Sequence, residues 1–220
     1  MGEPAPTSRM EPRWPVVLTV LATLFLLASM PGRLRLFPVW VPFVVALAVL
    51  MPMVAVAVSR ARVLWLRVER WVTLLFCVFL EFGTLTSLAN LVSAMVRRPG
   101  DITGTQLLSS SIAVWLMNVL AFSLLYWQID RGGPAGRADN ASVWPDWSFP
   151  SLEAPEDVPP DWRPKFVDYL FLGFTTATAF SPTEALPLTS RAKMLMMLES
   201  TIALVTVVVV ASRAINILGS

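Results

Sequence analysis

Long apolar runs separated by short arginine-bearing stretches set the pattern of the chain. A helix rising about 1.5 Å per residue needs roughly 20 mainly apolar residues to cross a hydrocarbon core of about 30 Å. Five stretches reach or approach that length: residues 14–30, closed by Pro31 and Gly32; 37–58, with Pro42 and Pro52 inside it; 71–96; 104–129; and 192–218. Internal prolines are tolerated in membrane helices where neighbours or water satisfy the freed carbonyls. A sixth apolar segment, residues 166–180, is short for a span and of the length of a re-entrant helix. The pattern therefore predicts an all-α membrane protein with five transmembrane helices plus one short re-entrant or sixth helix. Residues 1–13 form a tail and 14–98 a three-helix membrane region. Arg9 and Arg13 ahead of the first run resemble the start of a signal peptide, but the helices that follow and Pro31 at the cleavage position favour a retained helix.

The one long hydrophilic stretch, residues 130–165, is rich in Pro, Gly, Asp and Trp. Over 130–168 there are eight acidic and four basic side chains. Trp144, Trp147 and Trp162 are read either as anchors at the headgroup level or as contacts along a solvated connection.

Composition narrows the chemistry. Of the 220 residues 55% are hydrophobic and 15% charged, against about a quarter charged in a soluble domain. There is no His, which removes Ser-His-Asp and Cys-His catalysis and the commonest zinc sites. Cys77 is the only cysteine, so no intrachain disulfide, cysteine metal cluster or redox pair is open to the chain. The net charge is +2 and the arginines stand at the ends of apolar runs, not in a nucleic-acid-binding stripe. Ser190-Arg191-Ala192-Lys193 spells the Ser-x-x-Lys pattern without its companion motifs. No enzyme activity, cofactor or metal site is expected, and no nucleic acid partner.

Ionisable groups inside membrane segments cost on the order of 2.5–3.5 kcal/mol on insertion scales and so face a bundle interior or water. Three stand out: Glu81, Glu199 and Arg213. Glu81 lies at least ten residues from either end of its run and is followed by Thr84, Thr86, Ser87 and Asn90; it calls for a buried partner or a place on a polar path. Glu199, Thr206 and Arg213 are seven residues apart and share one helical face. That face either lines an aqueous path or packs against Glu81 and Asn118 of neighbouring helices. The alternative puts Glu199 at the interface, lets Arg213 snorkel, and has Thr206 bond its own backbone. Glu81, Asn90, Asn118, Thr206 and Arg213 form the candidate buried polar network. Ser109, Ser110, Ser111 and Asn118 also suit plain helix–helix contacts.

The stretch Asp168-Tyr-Leu-Phe-Leu-Gly-Phe-Thr-Thr-Ala-Thr-Ala-Phe-Ser-Pro-Thr-Glu-Ala-Leu-Pro187, with Lys193 and the last helix after it, resembles the pore module of the potassium channel family. Aligned without gaps, Phe174, Thr176 and Thr178 fall on the aromatic and threonine positions of the pore helix, Glu184 on the filter aspartate and Pro187 on the following proline. Ser181-Pro182-Thr183 stand where the family has Gly-Tyr-Gly, so the filter is degenerate. Glycine allows the backbone angles that turn carbonyls to the ion, and Pro182 fixes φ and removes an N–H. The resemblance implies that residues 104–129 are an outer helix and 192–218 an inner one. It further implies a weakly selective cation channel or channel-like protein, with Thr176, Thr178, Ser181, Thr183, Glu184 and Glu199 along the ion path. Its partners would be the lipid bilayer, monovalent cations and further copies of the chain, a tetramer if channel-like. The rival reading is a non-conducting membrane scaffold or accessory subunit whose hydroxyls are packing contacts. The run from Trp127 to Pro134 also resembles bacterial multi-pass proteins of about this length, which implies the inner (plasma) membrane.

Charge gives the orientation. With a re-entrant loop, the face carrying the amino terminus and the long loop holds 12 Lys and Arg and the opposite face five; with a sixth span the division is 11 to six. Positive charge favours the cytoplasm, so the long loop is expected inside, whereas potassium channels place the mouth of the pore loop outside.

Overall fold

The computed structural model of the protein describes residues 11–29, 38, 40–58, 63–97, 104–139, 143–149, 162–178 and 185–218. The fold is all-α. Its elements are α1 (Trp14–Ser29), α2 (Val41–Val58), α3 (Val63–Arg97), α4 (Gly104–Ile129), α5 (Gly133–Asp139), α6 (Phe166–Thr178) and α7 (Ser190–Leu218), with a minimal antiparallel ladder between β1 (Trp147–Ser148) and β2 (Leu186–Pro187). Three helical stretches are long and apolar enough to cross a membrane, Leu64–Ser93, Leu108–Arg137 and Ser190–Ser212; the apolar helices α1 and α2 offer shorter runs.

α4 forms the centre, with α3, α6, α7 and α1 packed around it. Its Val114, Ala121, Phe122, Leu124, Tyr126 and Trp127 are buried, while α3 and α7 turn Leu75, Val78, Phe82, Leu204 and Val208 outward. An outward apolar face is what a lipid solvent allows.

Two boundaries differ from the sequence expectation for physical reasons. α3 begins at Val63, eight residues before the apolar run, because its charged first turns find partners on other elements. Glu69 is buried and pairs with Arg13, and the Arg70 guanidinium donates to the Gly132 carbonyl at 2.8 Å. α4 stops where Arg131 (φ 50), Gly132 (φ 80) and Gly133 (φ 87) turn left-handed. A side chain on Gly133 would place Cβ 2.9 Å from the Gln128 carbonyl oxygen, so glycine is required there.

The expected connection 130–165 is not simply solvated. Asp146, Trp147, Ser148 and Phe149 are buried. Trp147 lies against the Tyr126 ring at 4.8 Å between centroids and donates its indole N–H to Met196 Sδ. Trp144 is 87% exposed and Trp162 half-buried, so the three tryptophans have three different environments.

α6 runs antiparallel to α4. Phe166 meets Trp127 and Phe174 meets Trp115, each at 6.0 Å between ring centroids, and Gly173 lies between them against Val119 and Ser123. It runs parallel to α7, whose Ser200 Oγ donates to the Thr176 carbonyl at 3.2 Å. The chain is back at the starting end by β2: Leu186 pairs with Ser148, and Leu188 N–H donates to the Asp146 carbonyl at 2.8 Å. Asp146 is itself bonded to Asp130 at the end of α4. α6 thus goes about 20 Å into the bundle, and Phe166 and Leu186 stand at the same end of it.

Candidate functional site

Two buried polar clusters lie along this module. The deeper one is assembled from α3, α4, α6 and α7. Glu199 is fully buried, nine residues past the start of α7, or about 14 Å into the bundle. Its Oε2 accepts the Tyr126 hydroxyl, and its backbone carbonyl accepts the Asn118 side-chain amide at 3.3 Å. Glu81, eleven residues beyond Arg70 on α3 and so about 16 Å deep, stands at a similar depth on a helix that packs against α4 and α7.

Gly173 of α6 makes the close approach possible. A Cβ there would stand 2.5 Å from Ser123 Oγ, 3.2 Å from the Val119 carbonyl oxygen and 3.3 Å from Glu199 Oε1. Ser123 donates to that same carbonyl at 2.6 Å. Glu199 Oε1, Asn118 Oδ1 and both carboxyl oxygens of Glu81 are shielded from solvent and have no hydrogen-bond partner among the described residues. Orphaned buried acceptors of this kind cost about 1–3 kcal/mol each, which a packing role alone does not repay.

The second cluster closes the entry end. The Asp130 carboxylate, fully buried, accepts Tyr169 Oη at 2.6 Å and Asp146 N–H at 2.7 Å. Arg137 donates to the Trp127 and Asp130 carbonyls, lies 5.0 Å from the Tyr169 ring centroid, and pairs with Glu11 at 3.2 Å. Glu11 also accepts the Trp127 indole N–H at 3.0 Å and the N–H of Phe166, the first residue of α6. A carboxylate at that position is favoured by the exposed amides and the dipole of the helix end. Asp146 is held by both donor atoms of the Arg191 fork and by Thr189 Oγ1.

Among the sequence candidates the structure brings Asn118 and Glu199 into contact, with Glu81 buried at a similar depth on α3. Thr176 and Thr178 lie near the inner end of α6, where their hydroxyls donate at 2.8 Å to the Leu172 and Phe174 carbonyls of their own helix. Thr206 likewise donates to Ile202, at 2.7 Å. Asn90 is half-buried nine residues along α3 from Glu81. Ser181, Thr183 and Glu184, and the side chain of Arg213, lie outside the described residues.

Tyr126, Ser123 and Gly173 were not singled out by the sequence. Tyr126 had a readable signal: Asn118, Phe122 and Tyr126 recur at four-residue intervals and share one face of α4. Glu11 and Asp146 had none, because their partners are far away in the chain. No protein-family model, curated protein or solved structure matches this chain. Chemically, the deep cluster offers carboxyl and amide oxygens with open acceptor capacity, suited to holding a cation.

Proposed function

We propose that this chain is a multi-pass protein of the bacterial inner membrane carrying a pore-loop-like module that passes cations at a low rate, α4 and α7 serving as outer and inner helices around a re-entrant α6. The observation that carries the reading is that Phe166 and Leu186 stand at one end of the bundle while the middle of the short helix between them, at Gly173, lies beside an orphaned buried carboxyl. Thr178, Ser181, Thr183 and Glu184 would line the constriction by their side-chain oxygens, and the Glu199 carboxyl would be the deep site that attracts the cation. Arg67, Arg70, Arg131, Arg137, Arg163, Lys165, Arg191 and Lys193 gather at the entry end, which favours the cytoplasm for the mouth. This orientation is opposite to that of potassium channels.

A specific observation favours the rival, a non-conducting scaffold or accessory subunit. The hydroxyls of Thr176, Thr178 and Thr206 are engaged with their own helices, as packing residues are. Flux assays separate the two. Purified protein in liposomes passes small cations above the rate of empty liposomes, and Glu184→Ala or Thr178→Val changes that rate. Absence of flux at every applied potential refutes the channel reading, and flux indifferent to both substitutions refutes the site assignment.

A further inference from the structure

An alkali cation gives up its hydration shell only where a ring of oxygens replaces it. At the Gly173 cradle, Glu199 Oε1 shares the space with Ser123 Oγ and the Val119 carbonyl, which are already joined to each other. Tyr126 holds the other carboxyl oxygen as a donor. The orphaned oxygen therefore has no donor among the described residues. A neutral carboxylic acid fits that environment, because burying the charged form without partners is the costlier state and a proton needs no coordination shell.

We infer that the cation this site takes up is the proton, carried on Glu199 with Glu81 as the second proton-accepting group of the same site. The inference rests on the reading of the chain as a cation path and names what passes. Buried, fully enclosed carboxyls inside membrane bundles are the usual stations of proton relays. Two fully enclosed features converge on the site independently of the acid pair: Asn118, whose Oδ1 is orphaned while its amide grips the Glu199 backbone, and the glycine cradle of α6. The titratable groups around Glu199 are Glu81 from α3, with Cys77 one turn away from it on the same helix, and Tyr126 from α4; on α6 the titratable residues Asp168 and Tyr169 stand at the entry end, and on α7 so do Arg191 and Lys193. Uptake adds one proton to a Glu199 carboxylate oxygen and release returns it to water, with no other bond changed.

The test uses the full chain in liposomes loaded with a pH-sensitive dye, with either a proton or a potassium gradient imposed. The wild type dissipates the proton gradient faster than empty liposomes; Glu199→Gln slows it at least about tenfold, while Glu199→Asp, which keeps the carboxyl, stays within about threefold of wild type. Should the glutamine variant fail to fold, infrared difference spectra of the wild type and Glu199→Asp on a pH step supply the second readout: a carboxylic acid carbonyl band is expected that differs between the two proteins. Wild-type proton flux in folded Glu199→Gln, or an identical band in both proteins, overturns the assignment to Glu199. Potassium flux without proton flux overturns the inference and leaves the cation path standing. Flux of neither cation overturns both.

Discussion

The close approach of α6 to α4 turns on a single hydrogen atom, the side chain of Gly173. Replacing Gly173 by Ala puts a methyl group 2.5 Å from Ser123 Oγ and 3.2 Å from the Val119 carbonyl oxygen, well inside contact distance. The carbonyl belongs to the α4 backbone and the hydroxyl is tied to it, so neither can swing away cheaply. Overpacking of this kind costs about 1–3 kcal/mol, set against a gain of about 1 kcal/mol for Ala over Gly inside a helix. Gly83 of α3 is the control, since a Cβ there meets nothing within 4 Å; Gly83→Ala should gain about 0.5–1 kcal/mol. Thermal unfolding in detergent reads the contrast. At about 2–4 °C per kcal/mol for a chain of this size, Gly83→Ala raises the midpoint by a few degrees and Gly173→Ala lowers it. Adding Ser123→Ala to Gly173→Ala removes the nearest clash and recovers part of the loss. If Gly173→Ala is as stable as Gly83→Ala, or if the double variant shows no relief, the close approach of α6 to α4 is wrong.

Further expectations follow from the same contacts. In a Cys77→Ser background, cysteines at positions 148 and 181 are labelled by an impermeant thiol reagent from the same side of sealed vesicles; labelling from opposite sides means that α6 crosses and the re-entrant reading is refuted. Glu11→Ala strands the Trp127 indole, the Phe166 N–H and one arm of Arg137, and should cost about 3–5 kcal/mol as the loss of one member of a buried ion pair; a change within about 0.5 kcal/mol in thermal unfolding would show that the tail contributes nothing. Asp146→Asn removes the charge that Arg191 and Thr189 hold, so a cysteine at position 148 should react faster with thiol reagents than in the parent; an unchanged rate means that the short ladder does not depend on the ion pair.

Helices were the legible part. Apolar runs announced α1, α2, α4 and α7 within a few residues, because length and hydropathy decide them locally. The start of α3 was hidden, since Glu69 and Arg70 look like loop residues until Arg13 and Gly132 stand beside them. The same holds for the entry end. Asp146 and Trp147 sit in a run whose composition says solvent, and only the fold brings them to Asp130, Arg191 and Tyr126. Glu199 and Asn118 could be picked out as polar residues in apolar helices, and Glu81 by its depth. The packing of Glu199 against Asn118 was one of the two alternatives open for its helical face; the part played by Gly173, one glycine among ten, had nothing local to mark it.

The Glu11 contacts carry a consequence for how the protein is made. Glu11 reaches Trp127, Arg137 and Phe166, which lie 116, 126 and 155 residues further along. Synthesis starts at the amino terminus, so this carboxylate is produced early and finds its last partner only when α6 has left the ribosome. Until then the first helices are held without the clasp that joins them to α6. Assembly of the entry end therefore waits on the order of synthesis, because the Glu11 carboxylate has all its partners only once α4, α5 and α6 have been made.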